Sequence, residues 1–501
     1  MAFYPRHSPM DKATRGMRQY DLVVIGSGPA GEKAAVHAAY HGYRVAVVEK
    51  LSNLGGAGVN TGTLPSKTLK ETALYLSGAQ ERRLYSVERK LSRSPDAADF
   101  LFRERYVVKT EREELRMELL KRKVDVYFGL GRFLDPHRIE VGGEQSQVLY
   151  GDKILIATGS YPAHPPGIPF NGRIRDSDTI LQIDRIPRSL CIVGAGVVGC
   201  EYATIFAEMD CKVTLVNSHK DILPFLDREI AGALVDQMRE CGIEILAETK
   251  IESATVEKRD GKEFVRAHRA DGGWIEAEMF LYASGRNGNT TDLDCARAGL
   301  KLAGRETLEV DETYRTAVPH IYAAGDVIGF PALGSTSMDQ GRVAVTHMFG
   351  LHDVERVAKQ FPFGIYTIPE VSMIGLTEET ARKKGIDYAV GRAFYKDIPR
   401  GLIVGAEHGF LKMIVNRRNR MVLGVHIFGT HATELVHYGM ELVENEESLG
   451  RVLGTVFNFP TLHELYKYAA YEIWTGELDD RAREVAPRES DHQAASDKEH
   501  K

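Results

Sequence analysis

The chain has 501 residues, 43% hydrophobic and 27% charged, a globular composition with length for about three domains. A formal net charge of −6 argues against a nucleic-acid partner, and no apolar run is long enough to span a membrane as a helix. The five cysteines, Cys191, Cys200, Cys211, Cys241 and Cys295, include no C-x-x-C pair. That spacing reads as free thiols in a reducing cytoplasm, with neither a disulfide framework nor a metal site.

Residues 1–19 carry Arg6, Lys12, Arg15 and Arg18 but no apolar core, which excludes a secretory signal; they read as a disordered extension, with a transit peptide the weaker alternative for want of amphipathic periodicity. A short apolar strand, Asp21–Ile25, then runs into Gly26-Ser-Gly28-Pro-Ala-Gly31 and a helix start. The first glycine permits a tight turn, the second lets backbone approach a pyrophosphate, and the third lets helix pack on strand. Free N–H groups at the helix start then face the diphosphate. The next strand, Arg44–Glu49, ends on an acid placed to hold ribose hydroxyls. Residues 98–123 read as one long amphipathic helix with a solvated charged face. Lys153–Ala157 is an apolar strand ending in Thr158-Gly159.

The strand–glycine–helix unit then repeats as Ser189–Val193 followed by Gly194, Gly196 and Gly199. Two such units imply two dinucleotides. The second strand of this unit, Lys212–Val216, leads to Asn217, Ser218, His219 and Lys220. An acid at Asn217 would repel the 2′-phosphate of NADP, and an arginine cluster would demand it. Asparagine does neither, and Lys220 or His219 can meet a phosphate, so the site reads as tolerant of NAD and NADP. Leu281–Gly285-Arg286 and Ile321–Gly325-Asp326 are two further strand-to-turn elements. From Phe361 an α+β module begins, with strands expected at Tyr366–Glu370 and Val422–Gly429. Phe457-Asn-Phe459-Pro460-Thr461 leads into a last helix with Glu464. The charged segment 476–501 reads as a disordered tail.

Gly55-Gly56-Ala-Gly58-Val-Asn-Thr-Gly-Thr63-Leu-Pro-Ser-Lys67 resembles the active-site helix of the flavin-dependent disulfide reductases, GGxCxNxGCxPSK, with Gly58 and Thr63 in place of both redox cysteines. The resemblance covers about residues 20–475, with the motifs in family order. It implies an α/β, glutathione-reductase-like fold with two Rossmann-type dinucleotide-binding domains and an α+β C-terminal dimerisation domain. On that reading FAD binds to 20–160 and 287–360, NAD(P) to 161–286, and 361–475 forms the interface of a cytoplasmic homodimer or higher homo-oligomer. The FAD residues are Gly26, Gly28, Gly31, Glu49, Gly56, Thr63, Thr158, Gly159, Gly325 and Asp326. Those for the nicotinamide dinucleotide are Gly194, Gly196, Gly199, Asn217, Lys220, Gly285 and Arg286. Lys67 matches the family lysine beside the reactive flavin nitrogen N5, and Glu201 matches the glutamate paired with it.

A dithiol relay needs two sulfurs in reach of each other. This chain supplies neither, and Phe459 replaces the acid–base histidine of the reductases' His-Pro-Thr. His463, farther along, reads as a surface or interface residue. Among cysteine-poor members the closest pattern is the soluble (Si-specific) NAD(P) transhydrogenase family, which has Thr at the Thr63 position and an aromatic-Pro-Thr. Gly285–Thr290 and Asp221–Asp227 also resemble that family, whereas Gly58 departs from its usual cysteine. The implied activity is FAD-dependent hydride exchange between NADPH and NAD, with NAD and NADP(H) as substrates. An NAD(P)H:quinone reductase (diaphorase) and a non-catalytic flavoprotein subunit stay open as alternatives.

Overall fold

A computed structural model describes residues 18–78, 94–143, 146–406 and 408–485. They fall into two compact units. The larger contains the described residues up to Ser77, those from 94 to Lys220, and Cys241–Val357; the other contains Gly78, Asp221–Glu240 and those from Ala358 onward. The expected N-terminal extension lies outside the described residues except for Arg18 and Gln19, which already belong to the first strand.

In the larger unit β1 (Arg18–Ile25), β2 (Val45–Glu49) and β3 (Asp125–Phe128) run parallel in the order β3-β2-β1, with β6 (Gln147–Ile156) parallel on the other side of β1. β4 (Gly131–Phe133) and β5 (Arg138–Val141) extend that side antiparallel, and the distant β17 (Ile321–Ala323) pairs parallel with β6. Leu22, Val23 and Val24 of β1 and Val45–Val48 of β2 are all buried. Parallel strands covered on both faces read as unbroken apolar runs and lose the alternation of a half-exposed strand. α1 (Pro29–Tyr40) makes the crossover from β1 to β2. α2 (Gly56–Asn60) and α3 (Thr63–Ser77) follow, and α3 packs on α4 (Ala97–Lys121). Asp96 and Asp99 form a reciprocal capping box that starts α4 close to where periodicity placed it.

A second sheet in the same unit is wholly parallel. Its order is β11 (Glu244–Leu246), β10 (Lys212–Val216), β9 (Ser189–Val193), β15 (Met279–Tyr282), β8 (Ile174–Asp176). α5 (Val197–Glu208) crosses from β9 to β10. An antiparallel meander, β12 (Ile251–Arg259), β13 (Lys262–Arg269) and β14 (Trp274–Ala277), precedes β15. Where the chain leaves the first sheet and where it returns from the second, β7 (Ser160–Pro162) and β16 (Arg286–Gly288) pair as an antiparallel ribbon. α7 (Gly334–Phe349) then packs against α1.

The other unit is built on an antiparallel sheet ordered β18 (Phe363–Ile365), β19 (Glu370–Gly375), β22 (Val422–Gly429), β21 (Phe410–Asn416), β20 (Tyr388–Phe394). With it go α6 (Arg228–Glu240), the short α8 (Glu378–Lys383) and α9 (Pro399–Val404), α10 (Ala432–Glu444), α11 (Leu449–Gly454) and α12 (Glu464–Val485). Its core gathers Leu411, Met413, Val425 and Ile427 from the sheet with Leu435, Leu465 and Tyr466 from the helices.

Three expectations need correction here. Of the strand expected at Tyr366–Glu370 only Glu370 is in a strand, at the start of β19; Tyr366–Pro369 connect β18 to β19, because Pro369 has no N–H to give a ladder. The last helix begins at Glu464 and continues through Val485, past the expected start of the tail at Gly476. Residues 221–240, expected within 161–286, group with the C-terminal sheet.

An ion cluster explains that grouping. Lys412 of β21, 1% exposed, donates to Asp227 at 2.8 Å and Glu378 at 2.8 Å, and its Nζ lies 2.9 Å from Glu229 of α6. Arg392 of β20 closes on Glu229 at 2.7 Å. Burial alone would push the Asp227, Glu229 and Glu378 carboxyls up, but the hydrogen bonds and charge of Lys412, with Arg392 on Glu229, bring all three below the usual range.

Candidate active site

The first glycine loop is dictated by close approach. Gly26 ends β1 at φ +102°, and a Cβ there would sit 2.3 Å from the Ala157 carbonyl oxygen. A Cβ at Gly31 would sit 2.0 Å from the Gly26 oxygen, so only glycine lets α1 start directly over the strand. Gly28 is the N-cap of α1 and supplies no side-chain cap. The first N–H groups of the helix are therefore aimed at the loop, where an anion satisfies them. Gly56 closes on the same loop, a Cβ on it lying 2.8 Å from Gly28 Cα. At Gly58 an added Cβ would lie 2.8 Å from Pro29 Cγ.

Glu49 sits at the end of β2, 5% exposed. Its Oε2 accepts from Ser27 N at 3.0 Å and Ser27 Oγ at 2.6 Å, and Oε1 accepts from Leu51 N at 2.9 Å. The carboxylate is thus fixed beside the glycine loop. Thr158 and Gly159 follow the neighbouring strand β6, and the buried Thr158 Oγ1 finds no hydrogen-bond partner among the described residues. Gly325 and Asp326 follow β17. The Gly325 N–H donates to Gln340 Oε1 of α7 at 2.8 Å, and Ser160 Oγ donates to Asp326 Oδ2 at 2.8 Å. Thr63 opens α3 opposite the start of α7, its Oγ1 3.9 Å from where a Gly334 Cβ would be.

From the middle of α3, Lys67 reaches α5. Its Nζ donates to both oxygens of Glu201, at 2.9 and 2.8 Å, and Ser66 Oγ adds a longer bond at 3.3 Å. The Glu201 side chain is 4% exposed and that of Lys67 is 26% exposed. A carboxylate buried this deeply requires a cationic or hydrogen-bonding partner. Lys67 provides it while keeping part of its own stem accessible.

The second loop repeats the first. Gly194 has φ +105°, and a Cβ on Gly199 would lie 1.8 Å from the Gly194 oxygen. Gly196 caps α5 with no side-chain bond, and a Cβ there would meet nothing within 4 Å. Asn217 ends β10, 8% exposed, and its Nδ2 donates to the His219 carbonyl at 2.9 Å. His219 and Lys220 are exposed beside it. Gly285 makes the turn after β15, and Arg286 continues into the ribbon. There its guanidinium donates to Ser160 Oγ at 2.8 Å, Ser160 O at 2.9 Å, Ser177 Oγ at 3.0 Å and Asp178 at 3.1 Å. Arg286 thereby joins the Asp326 group through Ser160, a role the sequence did not suggest. Ser27, Ser160 and Gln340 also escaped sequence reasoning, although Ser27 lies inside the first glycine motif and Ser160 directly follows Thr158-Gly159.

No cysteine lies on α2 or α3. Burial pushes the thiols of Cys191, Cys200 and Cys211 up to about 12 and that of Cys295 up to about 11. Thiolate chemistry is therefore suppressed at all four.

Two glycine loops, each running from a parallel strand into an uncapped helix, with a lysine–glutamate pair joining α3 to α5, define an oxidoreductase of two dinucleotides. The unpartnered Thr158 hydroxyl and the side-chain-free cradle of Gly28 and Gly56 fit a bound FAD. The chain belongs to the pyridine nucleotide-disulphide oxidoreductase family, which residues 20–346 match, and residues 361–470 match that family's dimerisation domain. It is 44% identical over 461 residues to a soluble pyridine nucleotide transhydrogenase of Mycobacterium tuberculosis, covering 91% of this chain and 97% of that one. A protein of the same name from a Marinomonas species is 40% identical over 468 residues, covering 90% and 98%. Among solved structures, the HOCl-induced flavoprotein disulfide reductase RclA of Escherichia coli matches with TM-score 0.82 at 27% identity, covering 90% of this chain and 99% of that one. The glutathione-reductase-like fold is thus confirmed. Among the described residues no helix is long and apolar enough to cross a membrane.

Proposed function

We propose that this chain is a cytoplasmic, homodimeric flavoenzyme that moves hydride between NADPH and NAD by way of bound FAD. The observation that carries the reading is the altered active-site helix: Gly58 and Thr63 stand where a disulfide reductase needs sulfur, while Lys67 and Glu201 remain paired at 2.8 Å. The relatives named as transhydrogenases, matched along nearly their whole length, support the same reading.

When bound, FAD supplies reversible hydride acceptance at its ring system. The protein's own part is binding and orientation. The α1 start and Glu49 hold the adenosine half, Thr158, Gly159 and Asp326 hold the middle, and Lys67, fixed by Glu201, faces the reacting edge. Gly194, Gly196 and Gly199 seat the incoming nicotinamide dinucleotide at α5. Asn217 spends its amide on the His219 carbonyl and offers no negative charge, so both nucleotides are admitted in turn at one site, with Lys220 close to a 2′-phosphate.

The test is anaerobic stopped-flow: reduce the holoenzyme with NADPH, then mix with NAD or with a quinone. Rapid reoxidation by NAD, with NADH appearing, is the expected result. Slow reoxidation by NAD with fast reoxidation by quinone would replace this function with a quinone reductase.

A further inference from the structure

Away from the dinucleotide loops, the last turn of α1 carries His37, and His41 is its C-cap, four residues on and so on the same side. The segment after α7 brings Asp353 to the same point, more than 300 positions later in the chain. His41 Nε2 lies 2.9 Å and His37 Nε2 3.3 Å from Asp353 Oδ2. The three atoms all fall within 4.8 Å of one another. We propose that His37, His41 and Asp353 form a binding site for a borderline divalent cation of the zinc class, with water completing the shell.

The geometry suits that ion. Ligands held about 2.0–2.1 Å from a tetrahedral zinc stand roughly 3.3 Å apart, and two imidazoles with one carboxylate are a common zinc set. Asp353 is already oriented for it. Its other oxygen, Oδ1, accepts from Thr346 Oγ1 at 3.0 Å and from Val354 N at 3.0 Å, which turns Oδ2 toward the histidines. Such supporting hydrogen bonds fix a ligand's direction. The imidazole rings are held edge to face, 5.1 Å apart and at 77°, and Tyr40 packs on His41 at 5.6 Å. Arg342 shares a groove with His37, but Asp339 holds its guanidinium at 2.6 Å. His37 is partly sheltered while His41 and Asp353 are more open, at 14%, 28% and 39% side-chain exposure, so a cation enters from solvent and keeps a water-facing side. Occupancy would tie the end of the helix that opens the first glycine loop to the chain leaving α7.

The experiment is calorimetric titration of the untagged, metal-free holoenzyme with zinc chloride at pH 7.5. It is repeated on His41→Gln, Asp353→Asn, His37→Gln and, because Cys241 is an exposed thiol, Cys241→Ser. One saturable equivalent is expected in wild type and in Cys241→Ser, weakened at least about tenfold in each of the other three. Zinc should raise the melting temperature of the wild type alone among the wild type, His41→Gln and Asp353→Asn. All variants should retain the flavin spectrum, which separates this site from the redox centre. Absence of saturable binding, or binding unchanged in His41→Gln and Asp353→Asn, or lost in Cys241→Ser, overturns the proposal.

Discussion

At the scale of single residues, Lys67 and Glu201 are 134 positions apart and meet only through the packing of α3 on α5. Lys67→Met should slow flavin reduction by NADPH at least about tenfold, the order of loss when an active-site donor is removed. FAD should stay bound, as read by absorbance after gel filtration, because the glycine cradle is elsewhere. Thr158 allows a separate test. Its buried hydroxyl has no hydrogen-bond partner among the described residues, so Thr158→Val removes no hydrogen bond among them. FAD titration of apo-protein should show affinity weaker by about 1 kcal/mol, the usual net worth of one hydrogen bond, with the apo melting temperature unchanged or raised. Only the family pattern singled out Lys67 and Glu201; no local periodicity marks one lysine and one buried acid as partners. Likewise the lone hydroxyl of Thr158 becomes informative only once its surroundings are seen.

At the scale of elements, the glycine loops make a paired comparison possible. A Cβ at Gly199 would strike the Gly194 oxygen at 1.8 Å, whereas one at Gly196 would point into open space. Gly199→Ala should therefore push α5 off β9, raising the NADPH KM at least about tenfold and lowering the melting temperature. Gly196→Ala should raise the KM while leaving the melting temperature in place. Initial rates and thermal unfolding of both variants check this. The strands feeding these loops were legible because burial on both faces leaves an unmistakable apolar run, as in Val45–Val48. The C-terminal module was less so. Val422–Gly429 matched its strand end for end, yet Tyr366–Glu370 failed on Pro369. The last helix outran its expected end because its first turns bury Leu465, Tyr466, Ala469 and Ile473, so the charged continuation propagates from an anchored start.

At the scale of the whole molecule, the Lys412 cluster contributes to acid stability. Asp227, Glu229 and Glu378 have folded-state carboxyls held below the usual range. Such groups contribute stability that is complete above the unfolded carboxylate pKa, about 4, and is lost as pH falls through the lower folded value. In urea midpoints followed by tryptophan fluorescence, the difference between wild type and Lys412→Met should thus be level near neutrality and shrink below about pH 4. At neutral pH, Lys412→Met should cost about 3–5 kcal/mol, since it strands the fully buried Asp227 carboxylate without its cation. The tie from Lys412 to Asp227 and Glu229 also explains why α6, interior to the expected nicotinamide segment, groups with a sheet that begins beyond residue 360. Sequence spacing gave no hint of it.

The bare active-site helix has a consequence for the cell. A sulfur pair that carries electrons must pass through a thiolate, the species that alkylating electrophiles and arsenicals attack. Here four of the five cysteines are buried, and the exposed Cys241 is not among the redox residues. N-Ethylmaleimide should label Cys241 and leave turnover intact. A nicotinamide exchanger built this way would keep redistributing reducing equivalents where an electrophile blocks a thiolate relay.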